Sequence, residues 1–251
     1  MWVDSRDALS ELSLPSRERV LDVGCGTGEL SRILLEETDG EVLGLDADST
    51  LLSHALEHVP VIRGDATRLP LANDVADLVI CQALLVNLSE PIRAVREFAR
   101  VSDDLVAAIE PDNAAVTVES TVEDERALEA RARRNYLDGV ETDVSLGGTG
   151  TRELFDRAGL TDVRTRRYDH VKIVEAPYDA AALEAARRKA SGAGLASDRE
   201  TLLSGAMTDE QYDDLRSDWR EMGRSVIEQM RNGDYERREV VPFFVTVGRV
   251  E

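Results

Sequence analysis

A chain of 251 residues is long enough to bury a full core as one domain, or as one domain with an insertion. Its 50 acidic residues outnumber the 30 basic ones, giving a formal charge of −20, and Lys172 and Lys189 are the only lysines. That field disfavours nucleic acid as a partner. The polar start Met1-Trp2-Val3-Asp4-Ser5-Arg6-Asp7 argues against a signal peptide. No apolar run approaches the ~20 residues that span a bilayer, so a cytoplasmic protein is expected. Cys25 and Cys81 are isolated, and three histidines fall in no ligand motif, so neither a disulfide framework nor a metal site is expected. An acidic, lysine-poor composition suits a salt-accumulating, halophilic cytoplasm, where salt screens self-repulsion; the alternative is an ordinary acidic cytosolic protein.

In chain order, Asp7 to Leu14 reads as a short helix before Pro15, a candidate flap. The first strand is Arg19–Val23, followed by a glycine turn and a helix from Thr27 to about Thr38. Glu41–Asp46 is a second strand, with its helix from Ser49 to His58. Val61–Arg63 is a third, short strand, and Asp77–Cys81 a fourth. Ser89 can cap the next helix, with Pro91 in its first turn. Leu105–Ile109 is the fifth strand. Strands alternating with single helices predict a doubly wound, mostly parallel sheet. Asp22, Asp46, Asp65 and Glu110 all fall at predicted strand ends, where such sheets bind ligands.

After Pro111 the rhythm loosens. Val122 to Leu137 is a polar helix candidate, Leu146–Gly150 breaks the chain, and Thr151–Gly159 reads as a capped helix with a glycine stop. Asp162–Val174 alternates like a sixth strand, and Glu239–Val250 is a last one, able to pair with it antiparallel at the sheet edge. Between them lies an insertion, Ala176 to Arg238. In it Thr208 and Gln211 form a capping box, and Tyr212, Leu215, Trp219, Met222, Val226 and Met230 repeat at helical spacing up to Gly233. The expected organisation is a core over 1–175, a helical insertion over 176–238 acting as a lid or a dimerisation arm, and the last core strand over 239–251.

The glycine turn decides the ligand. Its pattern is D-x-G-x-G-x-G over Asp22 to Gly28, with Glu29 where a dinucleotide fingerprint needs its third glycine. A carboxylate there suits a pyrophosphate badly. Asp22 can accept from a cationic amine, Asp46 from both ribose hydroxyls, and Asp65 from an adenine amino group beside the Ala66 backbone. A nucleoside carrying an amino acid is thus accounted for without a phosphate.

The segments VLDVGCGTG, LGLDAD, GDATRLPL and DLVICQALLVNL, in that order over residues 18–111, resemble the class I methyltransferases that use S-adenosylmethionine (SAM). The resemblance is to their small-molecule branch. It implies a Rossmann-like, seven-stranded methyltransferase fold with the insertion before its last strand. It further implies direct displacement of the SAM methyl group by a small-molecule acceptor. SAM contacts are then expected from Asp22, Gly24, Cys25, Gly26, Thr27, Gly28, Asp46, Ala47, Asp65, Ala66 and Gln82. An RNA or protein methyltransferase, or a non-catalytic SAM-binding regulator, is the alternative.

Candidate catalytic residues are fewer. Glu110, at the expected pocket mouth with Asp112 two residues on, is the first candidate base, or it caps the turn at Pro111. Asn87 stands where many small-molecule relatives carry a histidine, and His170 follows Asp169 on a predicted strand. His54 and His58, four apart on one predicted helix, lack a third metal ligand. Arginines recur outside the nucleotide half, at 131, 133, 134, 164, 166, 167, 187, 188, 216, 220 and 224. They read either as capture of an anionic acceptor or as ordinary pairing with abundant acids. The oligomeric state is open, a homodimer included.

Overall fold

The computed structural model describes residues 6–143 and 145–251; Met1–Ser5, with the first part of the polar start, and Val144 lie outside the described residues. The chain forms two compact units. The first comprises Met1–Asp112, Ser145–Tyr168 and Pro242–Glu251, the second Asn113–Val144 and Asp169–Val241. The second therefore takes in the insertion together with residues 113–144.

The first unit alternates strictly through β1 (Arg19–Val23), α1 (Glu29–Glu37), β2 (Glu41–Asp46), α2 (Ser49–Ala55), β3 (Val61–Arg63), β4 (Ala76–Gln82), α3 (Pro91–Val101) and β5 (Ser102–Pro111). These strands are parallel, in the order β3-β2-β1-β4-β5. The chain winds from β1 to one side, then crosses to β4 on the other. The switch point lies between β1 and β4, and sheets of this kind bind ligands at the carboxyl ends of the strands there. Among the remaining strands, β6 (Thr117–Ser120), β7 (Thr161–Val174) and β8 (Arg237–Arg249), β8 runs antiparallel. Its Phe243–Arg249 pairs with β5 and its Arg237–Val240 with β6, and β7 also pairs with it. The sheet is thus mixed and eight-stranded, not seven-stranded and mostly parallel. The unexpected strand is β6, whose four residues are too short to show an alternating pattern. Nor do β7 and β8 form an edge pair alone, since β8 lies against β5.

Both faces of the first unit's sheet are covered. Phe98 and Val95 of α3 join Leu154 and Phe155 of α5 (Gly147–Ala158) in one apolar cluster, with Leu21, Val79 and Val106. Leu30 and Leu34 of α1 lie in the other, with Val20, Leu78 and Ile109. Burial on both faces is why these strands read as continuous apolar runs. The N-terminal segment is a 3₁₀-helix, Asp7–Leu12, and it is no flap: Leu9 and Leu12 are buried in the second cluster. The buried Arg17 holds it, donating to Leu12 O at 2.8 Å, Asp77 O at 2.9 Å and Asp104 at 2.6 Å.

Local corrections follow from the same geometry. Pro91 does open α3, but Glu90 and not Ser89 occupies its N-cap. The glycine run at 147–150 is the first turn of α5, not a break, and Thr151 Oγ1 donates back to Gly147 O at 2.7 Å inside the helix. Gly159, at φ 87°, ends α5 as expected. α2 stops at Ala55, so His54 and His58 do not share a helix.

The second unit is largely helical: α4 (Glu125–Gly139), α6 (Ala180–Ser191), α7 (Ala193–Ser197), α8 (Arg199–Ser204) and α9 (Asp209–Asn232). The Thr208–Gln211 capping box opens α9 and Gly233, at φ 80°, closes it. The seam from Tyr212 to Met230 is filled from within this unit, by Leu195, Leu202 and Met207 at one end and Val122, Ala186 and Tyr235 at the other. Gly223 lets α9 touch the α6 backbone: a Cβ there would sit 2.3 Å from Ala190 N. A buried charge network ties α4, α6 and β8 together. Lys189 donates to Glu125 and, at 2.6 Å, to Glu129; Arg237 donates to Glu129 and Glu239, each at 2.7 Å. Tyr235 Oη reaches Glu125 at 3.0 Å. Lys172 pairs with Glu239 at 3.4 Å, so both lysines of the chain serve this network.

Candidate functional site

The turn after β1 is built by three glycines in the left-handed region, Gly24 at φ 73°, Gly26 at 54° and Gly28 at 81°. Gly24 N and Cys25 N donate to Leu45 O at 2.7 and 3.0 Å, which pins the turn to the end of β2. The Asp46 carboxylate completes the attachment, accepting from Gly26 N and from Asp48 N, both at 2.9 Å. Asp46 is half-buried, and each of its oxygens keeps a lone pair for a further donor. An ideal Cβ on Gly26 meets nothing within 4 Å, so the turn faces open space there. At Gly24 the reverse holds: a Cβ would lie 2.8 Å from Leu84 Cδ1. Leu84 follows β4, so the two strands at the switch point meet through this pair.

The four acids placed at strand ends separate into two kinds. Asp46 and Asp65 are accessible. Asp65 is exposed, accepts from Thr67 N and Thr67 Oγ1 at 2.8 Å each, and is held below the usual carboxylate range by those bonds. Ala66 beside it is buried. Asp22 and Glu110 are not accessible. Asp22 is 1% exposed and accepts from Ser31 Oγ at 2.5 Å. Burial pushes it up to about 7 against the pull of that hydrogen bond. It shapes the turn and the start of α1 and presents no free carboxylate.

Glu110 is fully buried, away from any pocket mouth, because β5 continues to Pro111 and pairs Glu110 with Phe244. Its Oε1 accepts from Leu84 N at 3.1 Å and Leu85 N at 2.9 Å, and its Oε2 from Val86 N at 3.3 Å. Burial pushes its carboxyl up to about 7, opposed by those three N–H donors.

The other candidates are placed as follows. Cys25 is buried against Gly44, whose Cβ position would be 2.9 Å from its Sγ, and burial pushes its thiol up to about 12, so it fills the turn. Thr27 and Ala47 are exposed beside the turn, and Gln82 is half-buried at the end of β4. Asn87 is exposed and donates to Ala83 O at 2.7 Å, closing the turn that Glu110 holds from below. His170 lies on β7 in the second unit, half-buried, so it is not grouped with the first unit's residues. Of the recurrent arginines, Arg166 pairs with Glu11 at 3.1 Å, Arg187 with Glu184 at 3.5 Å, and Arg133 donates to Val116 O at 3.0 Å. Sequence reasoning missed Leu84 and Ser31. Leu84 sits in an apolar run with nothing to distinguish it, whereas Ser31 does interrupt the buried Leu30–Leu34 stripe of α1.

Residues 21–104 match the family model for the methyltransferase domain. Around it, the chain is 33% identical over 107 residues to a demethylmenaquinone methyltransferase of Lactiplantibacillus plantarum, covering 38% of this chain and 45% of that protein. A demethylmenaquinone methyltransferase of Mycolicibacterium paratuberculosis is 36% identical over 94 residues, covering 37% of this chain and 40% of the relative. The matches thus span less than half the length of these curated relatives. The fold extends further: a Bacillus halodurans protein whose name proposes a methyltransferase superposes with a TM-score of 0.56 at 13% identity, over 98% of this chain and 99% of that one. The likeness is one of fold, an α/β Rossmann-like methyltransferase fold with a mixed eight-stranded sheet, and the residues matched by the family model lie in the first unit.

The residues present fit the donor of that class, SAM. The open side of Gly26 leaves room that a Cβ would fill, Asp46 has unused acceptor capacity at the β2 end, and Asp65 and Ala66 stand at the next strand end. No helix among the described residues is long and apolar enough to cross a membrane.

Proposed function

We propose that the chain is a SAM-dependent methyltransferase acting on a small-molecule acceptor. The observation that carries this reading is the attachment of the methyltransferase domain's glycine turn to Asp46, with the turn open beside Gly26. When bound, SAM supplies a methyl group activated by a sulfonium. In this reading Asp46 holds the ribose hydroxyls, Asp65 and the Ala66 backbone hold the adenine, and the open side of the turn at Gly26 leaves room for the amino acid portion. Asp22, buried against Ser31, keeps the turn in shape. Alignment of reactants and exclusion of water supply several kcal/mol, up to ~7–11, without a dedicated base. That agrees with the absence of a free carboxylate at Glu110.

A small-molecule acceptor is favoured over nucleic acid by the charge of −20 and by the acceptor named for the curated relatives, a demethylmenaquinone. The test is incubation with methyl-labelled SAM and a metabolite extract. Label in a low-molecular-weight product supports the reading. Label only in RNA or protein would transfer the enzyme to another acceptor class, and SAM binding with no labelled product would make it a non-catalytic SAM-binding protein.

The composition adds a condition: a cytoplasmic protein of a salt-accumulating cell. With −20 charges and two lysines, screening should stabilise the fold. The melting temperature is expected to rise markedly between low and multimolar potassium chloride; an unchanged value would count against a halophilic origin.

A further inference from the structure

Glu110 is buried at the end of β5, yet every oxygen of its carboxylate is used. One segment, Leu84 to Val86, supplies three successive backbone N–H donors, and Cys81 Sγ lies 3.6 Å from Oε1. Three converging amides on one buried carboxylate are an anion nest filled by the protein itself. The segment so held is under local strain, since Ala83 before it sits at φ 49°. Its first residue carries the side chain that meets Gly24. The chain of contacts runs from carboxylate to amides, from amides to Leu84, and from Leu84 to the glycine turn.

We infer that Glu110 is the positioning residue of the donor pocket: its carboxylate clamps the Leu84–Val86 turn and so sets the wall that Leu84 presents to Gly24. The inference rests on the reading of that turn as the SAM site. It replaces a role as general base, for which the carboxylate would have to reach an acceptor. The ionised carboxylate serves all three amides, and the protonated one has an acceptor fewer. The clamp is therefore strongest above the pH at which Glu110 ionises and loosens below it. Among the described residues, Glu110 faces the three amides from the turn, the Cys81 thiol from β4, which burial keeps neutral, and Phe244 as register partner on β8. Asp22, the other buried acid that burial pushes up to about 7, titrates in the same range and so must be separated in the test.

The experiment compares wild type with Glu110→Gln, Asp22→Asn and Leu84→Ala by two readouts. Hydrogen exchange on the ligand-free protein reads the clamp itself: the amides of residues 84–86 should exchange about tenfold or more faster in Glu110→Gln than in wild type, as expected when a charged hydrogen bond is lost. Calorimetric titration with SAM between pH 6 and 9 reads its consequence. Wild-type affinity should fall as pH drops through about 7. That fall should vanish in Glu110→Gln and persist in Asp22→Asn. Leu84→Ala should weaken SAM binding and flatten the pH dependence, because the clamp acts on the glycine turn through that side chain. Should Glu110→Gln fold poorly, the Leu84→Ala and Asp22→Asn profiles still decide. Unchanged exchange at 84–86, or a pH dependence abolished by Asp22→Asn, would overturn the inference. Faster exchange in Glu110→Gln, with no SAM binding even in wild type, would establish the clamp and refute the donor reading instead.

Discussion

Lys189→Met is expected to destabilise the second unit by about 3–5 kcal/mol, the cost of breaking a buried ion pair from one side. Lys189 bridges two carboxylates, Glu125 with no exposed surface and Glu129 with 7%. Among the described residues, removing the ammonium leaves Glu125 with Tyr235 Oη, Ser120 Oγ and a distant Arg237. Burial pushes the Glu129 carboxyl up, but Lys189 and then Arg237 outweigh it and hold it low. The chain uses arginine almost everywhere else. A compact ammonium fits between two carboxylates that already face the planar guanidinium of Arg237. Denaturant unfolding in molar salt measures the loss. Pairing Lys189→Met with Glu125→Gln should recover a large part of it, because no buried charge is then stranded. A loss below about 1 kcal/mol would mean that the network behaves as an exposed surface pair.

Asp46→Ala is expected to weaken SAM binding by about 1.5–3 kcal/mol, or roughly 10- to 100-fold, as for a hydrogen bond to a charged group. Two effects combine. The variant lacks the acceptor for the ribose hydroxyls, and Gly26 N and Asp48 N lose their partner, which releases the turn from the end of β2. Asp46→Asn separates them: it keeps one acceptor oxygen and should lie between alanine and wild type. Calorimetry showing alanine equal to wild type would remove Asp46 from the site.

Much of this was readable from residues alone. The parallel strands announced themselves because both faces of the sheet are covered, so Val20, Leu21 and Val23, or Val79, Ile80 and Cys81, are all buried. The α9 capping box and its glycine stop are local chemistry and were equally legible. Depth was not. Asp22, Asp46, Asp65 and Glu110 look alike in sequence, yet β5 runs two residues past its last aliphatic one, so Glu110 lies inside the strand. Asp22 also lies within β1, facing a helix serine. A carboxylate's role there depends on long-range partners, such as the amides of Leu84 to Val86, which no local pattern encodes. Strand β6 was invisible for the related reason that its pairing with Arg237–Val240 joins residues far apart in the chain. Only tertiary contact makes Thr117–Ser120 a strand.

The central claim, that this glycine turn holds SAM rather than a dinucleotide, is tested most directly by calorimetric titration of the purified protein with SAM and with NAD in multimolar potassium chloride. The turn pinned by Asp46, the open side of Gly26 and Glu29 at the position of the missing third glycine together predict binding of SAM with no measurable binding of NAD. NAD binding tighter than SAM would contradict it.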